Sequence, residues 1–370
     1  MRWKSRFHTF GFIGFGLIGG SLARAIRKQL PDAVIVVNVR DHSKIEQAVK
    51  DGVVNRTADA IDEAFSTCDI VFLCAPVATN NENLRKLKAH ISPSCLITDV
   101  GSVKTSIHET VKELGLEQQF IGGHPMTGSE RIGYLNSKAD LTKNAYYILT
   151  VPEGVTNPDL EPMKEMVTEC FGSILLVLSP NTHDYVTAAI SHLPHVISAS
   201  LVNLVKNSDD PEGTMKMIAA GGFKDITRIS SSSPAMWQNI CLTNTDNILS
   251  LLDDYMEDLA QIRTSLASRD PDALYDFFNR ARTYRDSFNS NVSGPIARSC
   301  LLTVVIPDEA GAMAIILSML AFHQVNIKNI NITHNREYAN GSVLIEFYDE
   351  PTKEKAYNLL KERNYEVQQL

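Results

Sequence analysis

The stretch FIGGHPMTGSERIG, Phe120 to Gly133, sets a histidine among four glycines and follows it with a proline, two small hydroxylic residues, a glutamate and an arginine. Glycine loses the most backbone freedom on ordering and offers no side chain to bury, so the composition predicts a shaped loop. Histidine is suited to taking a proton from an alcohol as hydride leaves its carbon, because its pKa lies near neutrality. A lone histidine is more often structural, but a glycine-walled loop with Pro125 restricting the chain after it tilts His124 toward function.

A hydride acceptor is suggested upstream. GFIGFGLIGGSLA carries Gly14-x-Gly16-x-x-Gly19, follows the apolar run TFGFI, opens a helical pattern through Leu17 and Ile18, and precedes a second apolar run that ends beside Asp41. In that context the first glycine permits a tight turn, the second lets a pyrophosphate approach the backbone, and the third allows close helix packing. The helix N-terminus adds partial positive charge. Asp41 would bond the adenine-ribose hydroxyls and favour NAD, whereas the adjacent Arg40 could favour the 2′-phosphate of NADP. TDVGSVK, Thr98 to Lys104, places a glycine-serine turn after another strand of the same sheet. Ligands of open α/β sheets bind beyond the carboxyl ends of the strands, so Ser102 and His124 are expected to converge near the nicotinamide.

A second cluster lies further on. In SHLPH, His192 and His195 are one helical turn apart and can share a face. In AAGGFKDITRI, Lys224 and Arg228 are four apart beside the Gly221-Gly222 pair, and arginine is suited to a bidentate grip on a carboxylate. A solvated charge stripe with two histidine hydrogen bonds is the competing reading.

These residues need elements to position them. From Thr9 to Ser179, strand-like runs (TFGFIGFG, AVIVVNV, DIVFLCAP, CLITDVGS, QFIGGHP, AYYILTV, SILLVLS) alternate with helical patterns. That alternation predicts an α/β fold, a doubly wound Rossmann domain at 9–179 with a mostly parallel sheet. Residues 182–291 show long helical periodicity and predict an all-helical second domain. SNVSGPIARS around Gly294 has linker composition. The segment 299–370 reads as a small ferredoxin-like βαββαβ unit.

Composition narrows the function classes. The 370 residues are 44% hydrophobic and 21% charged, with a formal charge of -8, so no basic footprint for nucleic acid or an anionic membrane is present. Six scattered cysteines show no metal-ligand spacing, and no metal is expected. No apolar segment is expected to span a bilayer, and no signal-peptide pattern opens the chain, which points to a cytoplasmic protein.

The ordered motifs GFGLIGGSLA, DVGSVK, GGHPMTGSERIG, HDYVTAAISHLPH, GGFKDITRI and SPAMWQNI together resemble the prephenate dehydrogenases of tyrosine biosynthesis, over Thr9 to about Asn291. The ending resembles an ACT domain. The resemblance implies that His124 accepts the proton of the ring C4 hydroxyl as hydride passes to NAD, and that Ser102 positions that hydroxyl and His124. It implies that Arg228 grips the ring carboxylate, with His195 and Lys224 near the substrate's polar groups. Ser129 and Glu130 would lie near the active-site entrance and Trp237 beside it. For the helical domain at 182–291 the resemblance implies substrate binding and dimerisation. Oxidation at C4 followed by loss of carbon dioxide needs no metal, because aromatisation drives it. The ACT resemblance implies L-tyrosine as an effector, bound near Asp308, Gly311 and Asn326, and a homodimer. Arogenate in place of prephenate stays open on these residues. Another β-hydroxyacid dehydrogenase would not explain the SHLPH and GGFKDITRI cluster, and a non-catalytic amino-acid sensor would not explain Ser102, His124 and Arg228 together.

Overall fold

A computed structural model describes residues 1–370 except 128–132, 153, 291–299, 308, 334–339 and 370. The chain divides into two compact units, Met1–Thr264 and Ser265–Leu370.

The first unit is built on an eight-stranded sheet. Its strands are β1 (Thr9–Ile13), β2 (Val34–Asn38), β3 (Arg56–Ala58), β4 (Ile70–Leu73), β5 (Leu96–Asp99), β6 (Phe120–Pro125), β7 (Tyr146–Thr150) and β8 (Ile174–Leu178), in spatial order β3-β2-β1-β4-β5-β6-β7-β8. All neighbouring pairs are parallel except β6 and β7. Successive side chains of a strand point to opposite faces, and both faces of this sheet are covered. Phe10, Phe12, Ile35, Val37, Ile70 and Phe72 enter one core, while Ile13, Val36, Val71 and Leu73 enter the other. That two-sided burial is why the strands read as continuous apolar runs. Helix Leu17–Gln29 buries Leu22, Ala23 and Ile26 on the first face, and helix Thr105–Leu114 buries Ile107 and Val111 on the second.

Three features depart from the sequence expectations. The residues before Thr9 form a helix, Arg2–Arg6, that buries Trp3, with Phe7 following it into the core. Arg6 fastens it through a 2.7 Å bond from Nε to Asp159. β3 carries only three residues, two of them exposed, too short for a periodic signal. The glycine-rich stretch reads as a shaped loop as a whole and as strand-like through QFIGGHP, and the strand reading holds for its first half: Phe120–Pro125 is the buried strand β6. Its glycines are there for close approach. A Cβ on Gly122 would stand 2.2 Å from Thr150 Oγ1, and one on Gly123 would stand 2.6 Å from the Asp99 carbonyl oxygen.

Beyond β8 the first unit is helical. Pro180–Thr187, a π turn at Ala188–His192 and Leu193–Ser208 form one continuous run. Pro194 has no N–H for the carbonyl one turn back, and the π turn lies next to that break. The run Pro180–Ser208 has 29 residues and is apolar enough, by length and composition, to cross a membrane, which corrects the expectation that no segment is. Joining the pieces on both sides of Pro194 into one helix supplies the length. Its polar side chains are engaged within the unit: His183, Asp184 and His192 are buried and hydrogen-bonded. Helices Thr214–Ile218, Gly221–Thr227, Pro234–Thr243 and Thr245–Ser268 follow, the last running across the division between the units.

In the second unit, helix Pro271–Ser290 precedes β9 (Cys300–Pro307), helix Ala312–Phe322, β10 (Ile327–Thr333), β11 (Asn340–Phe347), helix Glu350–Glu362 and β12 (Val367–Gln369). The four strands form an antiparallel sheet in the order β10-β11-β9-β12. Cys300, Leu302, Val304 and Ile306 alternate inward along β9 onto a separate core with Ile316, Leu320, Ala356 and Leu360.

Candidate active site

The first cleft opens where the strand order reverses, between β1 and β4. It encloses about 580 Å³ and is lined by Gly14, Phe15, Gly16, Asn38, Arg40, Asp41, Cys74, Thr79, Asn83, Tyr134 and Asn136 among others. Gly14 has a φ of 84°, and a Cβ there would meet the Cys74 and Ala75 backbone at 2.9 Å. Gly19 packs its helix against Cys74 Sγ, 3.2 Å from where a Cβ would be. A Cβ on Gly16 would meet nothing within 4 Å, so this backbone faces open space in the cleft at the N-terminus of the helix that begins with Leu17 and Ile18. An open glycine amide at a helix N-terminus is what a pyrophosphate requires. A dinucleotide such as NAD fits this donor set. Asp41 accepts from the amide and hydroxyl of Ser43 at 3.2 and 2.6 Å, capping a short turn at the cleft edge beside Arg40.

Sequence reasoning missed the opposite wall. Tyr134 donates to Asp51 at 2.9 Å, stacks on Phe15 with ring centroids 5.5 Å apart, and lies under the Arg24 guanidinium. Nothing in its local sequence marks it, because its partners are 83, 110 and 119 positions away in the chain.

The second cleft, about 480 Å³, lies beyond the ends of β5 and β6 and is lined by Ser102, His124, Met126, Thr127, Ser191, His192, His195, Ile229, Ser231, Ser232, Ser233, Met236, Trp237 and Ile240. Ser102 and His124 thus share one cleft with both histidines of the SHLPH motif and with Trp237. His195 stacks on Trp237, ring centroids 3.6 Å apart, and its Nδ1 lies 2.9 Å from the Ser191 carbonyl oxygen. His192 is buried and its Nδ1 accepts from Asn244 Nδ2 at 3.1 Å. Burial drives the His192 pKa down to about 4. Burial also lowers that of His195, with the Arg228 charge acting in the same direction.

Beneath this cleft runs a buried polar network. Lys104 and Asp99 form a fully buried ion pair. Lys104 Nζ donates to the Gly123 carbonyl at 2.7 Å, and Asp99 accepts from the Gly101 and Gly123 amides at 2.9 and 3.2 Å. His124 Nδ1 stands 2.8 Å from Nε2 of His183, whose Nδ1 stands 2.7 Å from Asp184. Asp184 accepts from the amides of Lys104 and Thr105, each at 2.7 Å. Burial holds His124 well below the usual histidine range, with His183, Lys104 and His192 adding to the effect, so the ring is neutral at neutral pH and can accept a proton. His183 and Asp184 were not singled out from the sequence. The signal available was the adjacent His-Asp pair in HDYVTAA, which nothing local connects to His124.

Lys224 and Arg228 are both exposed, on helix Gly221–Thr227 and the 3-10 turn Arg228–Ser231, and neither lines the His124 cleft. Ser129 and Glu130 lie outside the described residues.

Two family descriptions match this chain: the prephenate dehydrogenase nucleotide-binding domain over residues 22–176, and the prephenate dehydrogenase dimerization domain over residues 179–280. The chain is 37% identical over 359 residues to the prephenate dehydrogenase of Bacillus subtilis (strain 168), covering 96% of each chain. The chain belongs to the prephenate dehydrogenase family. Among solved structures, the prephenate dehydrogenase of A. aeolicus in complex with hydroxyphenyl propionate and NAD+ is similar with a TM-score of 0.71 and 30% identity. That match covers 76% of this chain and 98% of the other. Synechocystis arogenate dehydrogenase is similar with a TM-score of 0.67 and 31% identity, over 76% of this chain and 99% of the other.

Proposed function

We propose that this chain is an NAD-dependent prephenate dehydrogenase that oxidises and decarboxylates prephenate to 4-hydroxyphenylpyruvate. One observation carries the assignment of the chemistry: a neutral, desolvated His124 shares a cleft with Ser102, His195 and Trp237 beyond the ends of β5 and β6, in the same sheet whose β1 and β4 border the dinucleotide cleft. When bound, NAD accepts hydride from C4 of the ring. His124 takes the C4 hydroxyl proton as a general base, and Ser102 orients that hydroxyl. The stacked His195 and Trp237 form the wall against which the ring lies. Arg228, with Lys224, supplies cations for the ring carboxylate from the adjoining exposed surface. The functional parts are a dinucleotide domain at 9–179, a substrate and dimerisation domain at 182–291 and a regulatory domain at 299–370.

A homodimer is supported by the apolar surface of the helical part, where Ile190, Leu204, Ile218, Leu242 and Leu249 are more than half exposed. Such a surface marks an interaction site. The βαββαβ order and antiparallel sheet of the second unit fit an ACT-like domain. Gly311, with a φ of 94° at the start of helix Ala312–Phe322, marks the turn proposed to bind L-tyrosine, with the exposed Asn326 after that helix as a further contact; Asp308 lies outside the described residues.

Purified protein assayed with NAD or NADP against prephenate or arogenate, by absorbance of the reduced cofactor, tests the activity. Turnover with NAD and prephenate is expected, and its absence under all four conditions removes the reading. Repeating the assay with L-tyrosine, on the full chain and on a chain ending near Gly294, tests the effector. Equal inhibition of both active chains would assign tyrosine to the substrate cleft.

A further inference from the structure

We infer that His183, backed by Asp184, is a positioning residue that fixes the proton of His124 on Nδ1 and leaves Nε2 unprotonated for the substrate hydroxyl. This rests on the reading of His124 as the base. Asp184 anchors the chain of hydrogen bonds. Its two oxygens accept the Lys104 and Thr105 amides at 2.7 Å, so the group is held as an acceptor. Burial would raise its pKa, yet the bonds from His183, Thr105 and Lys104 hold it below the usual carboxylate value. An ionised carboxylate can only accept, so His183 must carry its proton on Nδ1, 2.7 Å away. A neutral His183 then presents a lone pair at Nε2, and the 2.8 Å contact to His124 Nδ1 is a hydrogen bond only if His124 donates. His124 is left with its lone pair on Nε2.

The same bonds set position as well as protonation. The Lys104 and Thr105 amides that hold Asp184 open the helix directly after Ser102. The group that orients the base is therefore fastened to the turn that carries Ser102. In the reaction, the substrate O–H bond breaks and the His124 Nε2–H bond forms, while hydride leaves with its electron pair for the bound nicotinamide. The imidazolium so formed keeps its Nδ1–H bond to His183, and the Asp184 carboxylate behind it offsets the new charge. The charged and titratable groups facing this pair are Asp99, Lys104, His108 and His192 in addition to Asp184.

Nitrogen-15 spectra of histidine-labelled protein above neutral pH read the tautomer directly, with the His124 signals assigned by their loss in His124→Asn. The expected wild-type state is protonated Nδ1 and unprotonated Nε2 on His124. His183→Gln, whose amide oxygen can accept in place of Nε2, should keep that state and hold kcat within about 10-fold. His183→Leu should lower kcat on the order of 10²-fold, the scale of positioned acid-base catalysis, with the KM for prephenate and for NAD changed by less than about 3-fold. A wild-type His124 protonated on Nε2 overturns the inference, as does a folded His183→Leu with wild-type kcat. If His183→Leu does not fold, the wild-type tautomer and the His183→Gln turnover decide. Full turnover in His124→Asn would remove His124 as the base, whereas the wild-type tautomer tests the His183 contact by itself.

Discussion

Lys104 and Asp99 hold the two halves of the substrate site together from below. Their buried ion pair joins the end of β5, the turn carrying Ser102 and the strand carrying His124, since Lys104 also binds the Gly123 carbonyl. Burial lowers the Lys104 pKa and Asp99 offsets it, so the Lys104 charge depends on its partner. Lys104→Met should destabilise the protein by about 3 to 5 kcal/mol, the cost of stranding one buried charge. Asp99→Asn combined with Lys104→Met should recover part of that loss. Urea unfolding of both variants measures it, and a wild-type midpoint for Lys104→Met would show that the pair is not coupled.

The glycines of the dinucleotide cleft separate folding from binding. Gly14→Ala places a Cβ against backbone at a φ of 84°, so it should lower the unfolding midpoint. Gly16→Ala meets no protein atom within 4 Å and should leave the midpoint unchanged while weakening NAD binding by about 10-fold or more, because the methyl occupies the pyrophosphate approach. Titration calorimetry and thermal melts on the two variants distinguish these outcomes.

Arg228 is exposed and outside the His124 cleft, so the carboxylate grip proposed for it would be screened by water. Arg228→Ala should raise the KM for prephenate by about 10-fold, equivalent to about 1.4 kcal/mol. The KM for NAD should change little. Steady-state kinetics varying each substrate test this, and equal effects on both constants would point to general disruption.

The buried histidines make stability depend on pH. Burial lowers His192 from 6.5 to about 4 and His108 from 6.5 to about 3. In the unfolded chain these rings protonate near 6.5. As pH falls below that value, the unfolded state binds protons that the folded state refuses, and stability is lost until the folded pKa values are reached. Each ring contributes roughly 1.4 kcal/mol per pH unit across the window from about 6.5 down to 3 or 4. Urea midpoints should therefore fall between pH 7 and pH 4, and His108→Gln should flatten the slope.

The sequence by itself determined the order of strands and helices, the glycine motif and its place after β1, and the candidacy of His124, Ser102, His192 and His195. Those follow from periodicity, turn chemistry and spacing, which are local properties. The segment FIGGHP was legible only in part, since it reads both as a strand-like run and as a shaped loop. A pair of glycines reads as a loop until the Thr150 hydroxyl and the Asp99 carbonyl, contributed by other strands, are seen to exclude any side chain there. Tyr134 at the dinucleotide cleft and the line from His124 through His183 to Asp184 were decided by tertiary structure alone. A hydrogen bond between residues 59 positions apart leaves no periodic trace, because what brings them together is the packing of the helix Pro180–Thr187 against the sheet's strand ends. A larger separation, 83 positions, hid the Tyr134–Asp51 bond. The sequence could nominate His124 as the proposed base, but which of its two nitrogens carries the proton depends on a neighbour that only folding supplies.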